Sequence, residues 1–305
     1  MKSHMRISRT SYKPLAYLFY AHAKRHEVPS EREINLRALG IKSKMSIKLS
    51  LNPYDQGFSK EFSLYGFREV LNSLLIYYIV RKYRPPVVMD IGANLGYYVA
   101  LEALAGAEKI IAIEPVPLTY SYLCRNLKTI ENAVALNVAV ADRDGEVSMT
   151  VSDSFNLAHV TEGESDASCA SGSRIRVKAF SLNTLIKKLG LQSLKNIMLR
   201  MDIEGYEYKI LSENIPEQIS LINVELHPSN YDVKGFCQKI LDQGFLIEYF
   251  IGDIPFGFYP LINTFGLRLL KILKSQYIVA EKVRLEDLDR LMQDAVHPYI
   301  FFNRQ

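Results

Sequence analysis

The chain has 305 residues, of which 48% are hydrophobic and 23% charged, and its formal net charge is +4 at pH 7. This composition excludes disordered and fibrous proteins, and the length is sufficient to bury a large core. The three cysteines are widely spaced without a CxxC pair, which argues against a zinc ribbon or a disulfide framework. No apolar run reaches the ~18 residues of a membrane span. We therefore expect a cytoplasmic globular protein.

The N-terminal part of the chain is basic. Residues 1–48 contain eleven Lys and Arg but only three acids, which gives this segment a local charge of +8. Such a segment can dock on an anionic partner such as RNA, and it can equally be an ordinary solvated face. We predict that residues 1–66 form an N-terminal elaboration, or cap, on a domain that comprises residues 67–305.

From residue 85 onward, predicted strands alternate with predicted helices. The predicted strands are 87–91, 110–114, about 134–140, 196–202, 220–226, about 245–250 and a last strand at "PYIFF". Two further segments, "GEVSMTV" and "SRIRVKAF", alternate polar and apolar residues and are predicted to pair as a hairpin. This order is typical of an α/β protein whose parallel sheet carries helices on both faces.

The first of these strands leads into a glycine turn. Residues 87–96 read "VVMDIGANLG", and a helical pattern follows Gly96. A strand that enters a helix through such a turn commonly cradles a nucleotide-like ligand, although it can also be a plain connection in an α/β protein. The turn lacks the second glycine of GxGxxG, so it disfavours a nicotinamide cofactor and fits a nucleoside without phosphates better.

Four predicted strands end in an acid, namely Asp90, Glu114, Asp202 and Glu225. The carboxyl ends of parallel strands lie at one edge of the sheet, where ligands bind. Glu114 follows Asp90 by 24 residues, which is close to the ~20-residue spacing of the acid that binds ribose hydroxyls in dinucleotide folds. The pattern therefore predicts a ligand site at this edge.

The motifs "DIGANLGYY", "AIEP", "NVAVADRDGEV", "RMDIEGYEYKIL" and "VELHP" occur in this order. Over about residues 67–228 the chain thereby resembles the FkbM-type S-adenosylmethionine-dependent methyltransferases. The resemblance implies a Rossmann-like class I methyltransferase fold, with a seven-stranded, mostly parallel sheet whose last strand is antiparallel. It also implies cofactor-binding residues, which are Asp90, Gly92, Ala93, Asn94, Gly96, Glu114, Pro115, Ala141 and Asp142. No family motif covers residues 1–60 or the insert at about 251–295.

Members of this family are chiefly known as O-methyltransferases, so the resemblance implies a hydroxyl on a saccharide, glycolipid or small molecule as acceptor. A hydroxyl needs a general base or a cation to assist the loss of its proton. We predict that Asp202 or His227 is the base and that Glu204 or Glu225 orients the other groups, because all four follow the ends of neighbouring strands. A capping role before Pro228 is the alternative for His227. An oxygen-rich cluster could also bind Mg²⁺, but no residue is assigned as a metal ligand.

Two other functions stay open at this stage. The first is an RNA methyltransferase that uses the basic N-terminal arm, and the second is a non-catalytic S-adenosylmethionine-binding or scaffold protein. The aromatic segment 249–260 either covers the acceptor pocket or forms a surface for a homo-oligomer. The acceptor itself cannot be read from the sequence.

Overall fold

The protein is described by a computed structural model. It describes residues 26–152, 158–160, 172–228, 230–271, 273–274, 277–295 and 297–304. The strands are β1 (Glu31–Glu33), β2 (Lys48–Ser50), β3 (Val88–Ile91), β4 (Ile110–Ile113), β5 (Ala133–Leu136), β6 (Ala139–Val140), β7 (Gly145–Ser152), β8 (Ala158–Val160), β9 (Gly172–Phe180), β10 (Ile197–Met201), β11 (Ile219–Glu225), β12 (Phe245–Gly252), β13 (Ile278–Glu281) and β14 (Pro298–Arg304).

The helices lie between these strands and at both ends of the sheet. They are α1 (Phe58–Tyr65), α2 (Val70–Tyr83), α3 (Tyr97–Ala105), α4 (Pro117–Asn126), α5 (Leu182–Lys188), α6 (Glu207–Leu211), α7 (Val233–Leu241), α8 (Tyr259–Phe265) and α9 (Leu288–Gln293). Short 3₁₀ segments occur at Leu127–Thr129, Phe256–Phe258, Gly266–Lys271 and Leu285–Asp287. No helix among the described residues combines the length and the apolar composition of a membrane span.

Among the described residues, the central sheet has eight strands in the order β13-β12-β14-β11-β10-β3-β4-β5. The strands β5, β4, β3, β10 and β11 pair in parallel, and β14 pairs antiparallel with both β11 and β12. The predicted mostly parallel sheet with an antiparallel last strand is thus confirmed. The additional strand β13 comes from the insert and pairs antiparallel with β12 at the sheet edge.

The predicted strand at about 134–140 is divided between two sheets. Its first half is β5 of the central sheet, and its second half is β6 of a small sheet with the order β6-β9-β7-β8. Between them, the Asn137 side-chain amide donates to the carbonyls of Glu114 and Pro115, at 2.9 and 3.0 Å. The predicted hairpin is confirmed, because β7 and β9 pair antiparallel along their whole length.

Helices cover both faces of the central sheet, as predicted. Neighbouring strand residues point to opposite faces, so that Val88 and Ile110 pack in one hydrophobic core while Met89 and Ile111 pack in the other. The first core includes residues of α1, α2, α3, α4 and α8, and the second includes residues of α5, α6, α7 and α9. The carboxyl ends of the parallel strands form one edge of the sheet, and this edge lies between the two groups of helices.

Residues 26–66 pack against the first face of the sheet. Leu39, Leu49 and Phe62 are buried in the first core. The backbone of Ser50 exchanges hydrogen bonds with the side chain of Asn126, at 2.7 and 3.2 Å. This part of the predicted N-terminal elaboration therefore lies on α4, whereas residues 1–25 are outside the described residues. The domain boundary at residues 66 and 67 stays a prediction.

Candidate active site

A cavity of about 450 Å³ lies at the carboxyl ends of β3, β4, β10 and β11. Nine of the residues singled out from the sequence line it, namely Gly92, Ala93, Asn94, Glu114, Pro115, Asp202, Glu204, Glu225 and His227. The two predicted sets, for the cofactor and for catalysis, therefore share one cavity. Residues from the N-terminal region, such as Phe58 and Glu69, line it as well.

The glycine turn can be built only with glycine at its first position. Gly92 has a φ of +79°, and a Cβ there would lie 2.0 Å from the carbonyl oxygen of Asp202. Gly96, with a φ of +90°, precedes the first residue of α3. The turn therefore brings bare backbone to the cavity wall and leaves free N–H groups at the start of the helix.

Glu114 is held by this turn. Its carboxylate accepts the N–H of Asn94 at 3.0 Å and the N–H of Val116 at 2.9 Å. Burial raises the pKa of Glu114 to about 7, against the opposing effect of these two hydrogen bonds. Each carboxylate oxygen keeps a second lone pair, so the side chain can accept from the hydroxyls of a ribose.

Asp90 lies beneath the cavity and does not line it. Its Oδ1 is 2.9 Å from Nη1 of Arg200, and Nη2 of the same arginine is 3.0 Å from Oδ2 of Asp202. The guanidinium carbon also lies 3.9 Å from the ring centroid of Tyr98. Arg200 is only 3% exposed. Arg200 therefore links Asp90 of β3 to Asp202, which follows β10. It was not predicted as a site residue, although it is the first residue of the motif that contains Asp202.

Asp202, Glu204 and His227 form a cluster that lines the same cavity and begins beside the glycine turn, with one potential ligand atom of each within 4.8 Å of those of the other two. His227 Nε2 lies 3.6 Å from Glu204 Oε2, and His227 Nδ1 lies 3.4 Å from Oε1 of Glu207. Glu207 is fully buried, and its Oε1 accepts the N–H of Ile203 at 2.8 Å. The second carboxylate on His227 was not predicted.

The ionisation of this cluster reflects its excess of carboxylates. Burial alone would lower the pKa of His227, but the hydrogen bond and charge of Glu207 and the charges of Glu225 and Asp202 raise it to about 9. Burial and the charge of Asp202 raise the pKa of Glu204 to about 7. The cluster is thus a place that favours positive charge.

Glu225 contacts a second imidazole. Its Oε1 lies 3.2 Å from Nδ1 of His297, and its Oε2 accepts the hydroxyl of Tyr299 at 2.9 Å. Burial first, and the charge of Asp202 second, raise the pKa of Glu225 to about 7. The hydrogen bond to Glu225 raises the pKa of His297 to about 9. His297 has a φ of +42°, an uncommon conformation for a residue with a side chain, and it was not predicted.

The segment between α1 and α2 contributes an ion pair to the cavity wall. Arg68 lies 2.9 Å from Glu61 and 3.3 Å from Glu69. Against the effect of burial, the charge of Arg68 lowers the pKa of Glu69 to about 2. The N–H of Glu69 donates to the hydroxyl of Tyr259 in α8 at 2.7 Å, and Tyr98 donates to its carboxylate at 2.5 Å. No sequence motif predicted this group.

The last two predicted cofactor residues lie next to the cavity and do not line it. Ala141 is buried and donates its N–H to the carbonyl of Phe180 at 3.0 Å. Asp142 accepts the hydroxyl of Tyr206 at 3.0 Å. The three residues that precede them, 138–140, do line the cavity.

The methyltransferase FkbM domain model matches residues 90–248. The chain belongs to the FkbM methyltransferase family. The match includes the glycine turn, Glu114, Asp202 and His227, whereas Phe58, Glu69 and His297 line the same cavity from outside the matched residues. Membership makes this FkbM-family protein an S-adenosylmethionine-dependent methyltransferase, with the Rossmann-like sheet order described above. No curated protein matches the chain.

Solved structures similar to this FkbM-family protein share little sequence with it. TYW2 of M. jannaschii in complex with AdoMet is 12% identical over 92% of this chain and 89% of that chain, with a TM-score of 0.39. Precorrin-6y C5,15-methyltransferase from Geobacter metallireducens GS-15 is 11% identical over 78% and 90%, with a TM-score of 0.37. Similarity at this level carries no argument about the acceptor.

Proposed function

We propose that this FkbM-family protein transfers a methyl group from S-adenosylmethionine to a hydroxyl of a saccharide, glycolipid or other small hydroxylated molecule. One observation carries the proposal. A single cavity is lined both by the glycine turn and Glu114, which we assign as the cofactor end, and by a cluster of carboxylates and imidazoles, which we assign as the acceptor end. Transfer from a sulfonium is an in-line displacement, which depends on how donor and acceptor are positioned in one space.

The residues at the first end fit the cofactor. Gly92 leaves room for close approach to the backbone, and Glu114 presents two acceptor oxygens for the ribose hydroxyls. Residues 138–140 and Met149 line the same cavity and supply an apolar wall for the adenine, next to Asp142. The cofactor, when bound, supplies a methyl group on a positively charged sulfur.

The affinity for S-adenosylmethionine is expected to depend on the ionisation of Glu114. Its pKa is about 7 in the free protein, and ribose hydroxyls and a cationic ligand favour the ionised form. Below this pH a proton must leave on binding, so the dissociation constant should rise by up to about tenfold for each pH unit of acidification. Calorimetric titration between pH 5.5 and 7 measures this slope. Glu114→Gln should bind more weakly with a flatter pH dependence, and an unchanged slope in that variant would contradict the assignment.

At the second end, Asp202, Glu204 and His227 are arranged to hold a divalent cation. The negative field that raises the pKa of His227 equally favours a metal ion, which would replace the proton on Nε2. Glu207 on Nδ1 would orient the ring, as second carboxylates commonly do for metal-bound histidines. The two carboxylates supply oxygen ligands, which suit Mg²⁺ and Mn²⁺. A cation here would lower the pKa of an acceptor hydroxyl.

Metal removal is therefore expected to abolish methyl transfer. Protein treated with EDTA and desalted should regain activity with Mg²⁺ or Mn²⁺, and Glu204→Ala should need a higher metal concentration for half-maximal activity. Glu213→Ala is the matched control, because Glu213 is an exposed acid outside the cavity. Full activity of the EDTA-treated protein in the absence of added metal would rule the cation out.

The acceptor hydroxyl loses its proton during methyl transfer, and a base must accept it. We assign this role to His297, which lines the cavity and is held at Nδ1 by Glu225, so that Nε2 is left to accept. A base with a raised pKa is stronger, although less of it is deprotonated at neutral pH. Proton removal by Asp202 or His227, as expected from the sequence, stays a prediction, but for His227 it excludes the cation proposed on Nε2, since Nδ1 already faces Glu207.

An RNA acceptor is the second candidate, and the basic residues of the N-terminal region favour it. The acceptor end of the cavity argues against it, because Glu69, Asp202, Glu204 and Glu225 all line it and would repel a phosphodiester. A non-catalytic binding protein is the third candidate, and the arrangement of His227 and His297 around the cavity gives it no support. Location in the cytoplasm and homo-oligomer formation stay predictions.

Methyl-labelled S-adenosylmethionine tests the proposal. The protein is incubated with fractionated lysate, and label is followed into RNA, protein, lipid–glycan and small-molecule fractions. Label in a glycan or small-molecule fraction that survives mild alkali is expected, since a methyl ether is stable to alkali whereas a methyl ester is not. Label confined to RNA would replace the proposal with the second candidate.

A further inference from the structure

Two segments of the chain contain no acidic residue, and they meet on the surface. Residues 34–54 contain four Lys and Arg, residues 254–280 contain three, and neither contains Asp or Glu. The Asn35 side-chain amide donates to Oδ1 of Asn263 at 2.9 Å. Leu267 lies against Gly40, where an added Cβ would be 2.8 Å from its Cδ1. The two segments therefore form one continuous part of the surface.

This part of the surface combines cations with large exposed apolar side chains. We call it the basic face, and its exposed residues are Arg37, Lys42, Lys44, Met45, Leu261, Phe265, Arg268, Lys271 and Lys274. Phe265 is 60% exposed, Met45 57% and Leu261 37%. Leu261 and Phe265 are four residues apart in α8, so they share one side of the helix, while Ile262 is buried in the core.

The cations of the basic face are not held by carboxylates of the described residues, although Glu33 borders the face through its hydrogen bond with Ser46. Within the described part of the chain, none of them makes an ion pair with a carboxylate. Exposed apolar side chains among unpaired Lys and Arg are typical of surfaces that lie at the interface of an anionic bilayer, where the apolar groups enter the headgroup region and the cations remain above it.

We propose that the basic face docks peripherally on an anionic phospholipid surface and that the acceptor is a lipid-linked molecule. The second part rests on the proposed function. The helix that carries Leu261 and Phe265 also holds the cavity wall, because Tyr259 accepts the N–H of Glu69, and Glu69 lines the cavity. Docking therefore brings the lipid surface to within one helix of the acceptor end.

RNA is the other anionic polymer that such cations could bind. Of the three exposed apolar side chains, Phe265 alone has a ring on which a base could stack, whereas Met45 and Leu261 are aliphatic and suit an acyl–headgroup boundary. The carboxylates at the acceptor end disfavour a phosphodiester as well. The lipid surface is thus the occupant that both observations favour.

Vesicle co-sedimentation of the full chain tests docking separately from catalysis. Wild-type protein should sediment with vesicles of phosphatidylcholine and phosphatidylserine, and much less with phosphatidylcholine alone. Lys271→Glu/Lys274→Glu should lower the partition coefficient by at least about tenfold, because each basic residue near such a surface contributes about 1 kcal/mol. Leu261→Ser/Phe265→Ser should lower it with less dependence on salt.

The matched control is Lys195→Glu/Lys239→Glu, which reverses two exposed cations on the side of the second core. It should bind vesicles nearly as wild type does. The proposal would be overturned if Lys271→Glu/Lys274→Glu sedimented with anionic vesicles as well as wild type does. It would also be overturned if wild-type protein bound RNA more tightly than anionic vesicles. Retained S-adenosylmethionine binding in every variant shows that the cavity is intact, so a failure of docking is distinguished from a failure of the proposed function.

Discussion

Asp202→Asn is expected to reduce the rate of methyl transfer by about 100- to 10,000-fold, the range typical for the loss of a group that assists proton removal. Asp202 belongs to the cluster with Glu204 and His227 and lies where the cofactor end of the cavity meets the acceptor end. Asparagine keeps the shape and one oxygen, but it removes the charge that would hold a cation. Single-turnover transfer of labelled methyl measures the loss.

In Asp202→Asn the affinity for S-adenosylmethionine should change by no more than about threefold, because Asp202 is assigned to the acceptor end. The loss should therefore appear in kcat, since a loss of uniform binding would appear in KM. Glu213→Gln, an exposed acid outside the cavity, serves as the control and should transfer methyl at the wild-type rate. Wild-type turnover in Asp202→Asn would remove this residue from the mechanism. A loss explained entirely by weaker cofactor binding would move it to the cofactor end.

Arg200→Met is expected to lower the free energy of unfolding by about 3–5 kcal/mol, as is usual when one partner of a buried ion pair is removed. The loss leaves Asp90, which is 0% exposed, without its 2.9 Å partner. It also removes the guanidinium from the ring of Tyr98. Because the chain has no tryptophan, urea unfolding is best followed by far-UV circular dichroism.

A surface arginine provides the control for this measurement. The Arg290 side chain is 77% exposed and pairs with Asp287 at 3.1 Å, so Arg290→Met should cost no more than about 1 kcal/mol. Adding Asp90→Asn to Arg200→Met should recover part of the loss, since the buried charge is then neutral. If Arg200→Met and Arg290→Met lower the free energy of unfolding equally, the ion pairs of Arg200 with Asp90 and Asp202 do not stabilise the fold more than a surface pair does.

Much of the fold could be predicted because its signals are local. Apolar strands, helix patterns and the order of the motifs gave the parallel sheet, the hairpin of β7 and β9 and the antiparallel last strand. The division of residues 134–140 was missed because it depends on where the Asn137 side chain finds its acceptors. The strand β13 was missed because it has only four residues, none of them fully buried, and it pairs with β12 alone.

The site was predictable where residues follow strand ends and unpredictable where distant segments meet. Glu114, Asp202, Glu204 and His227 lie in motifs beside the sheet edge and line the cavity. Glu69 and His297 reach the same cavity from segments far away in sequence, so no local spacing could indicate them. Asp90 is a strand-end acid that was expected to face the ligand; it pairs with Arg200 and does not line the cavity, so its role in cofactor binding stays a prediction.

The central claim is that one cavity has a cofactor end at Glu114 and an acceptor end at Asp202. Calorimetric titration of S-adenosylmethionine into the wild type, Glu114→Gln and Asp202→Asn tests it most directly, with Glu131→Gln, an exposed acid, as control. The account predicts one site in the wild type, binding weakened by about tenfold or more in Glu114→Gln through loss of a charged acceptor, and near wild-type binding in Asp202→Asn. Unaltered binding in Glu114→Gln would contradict it, as would the absence of binding in the wild type.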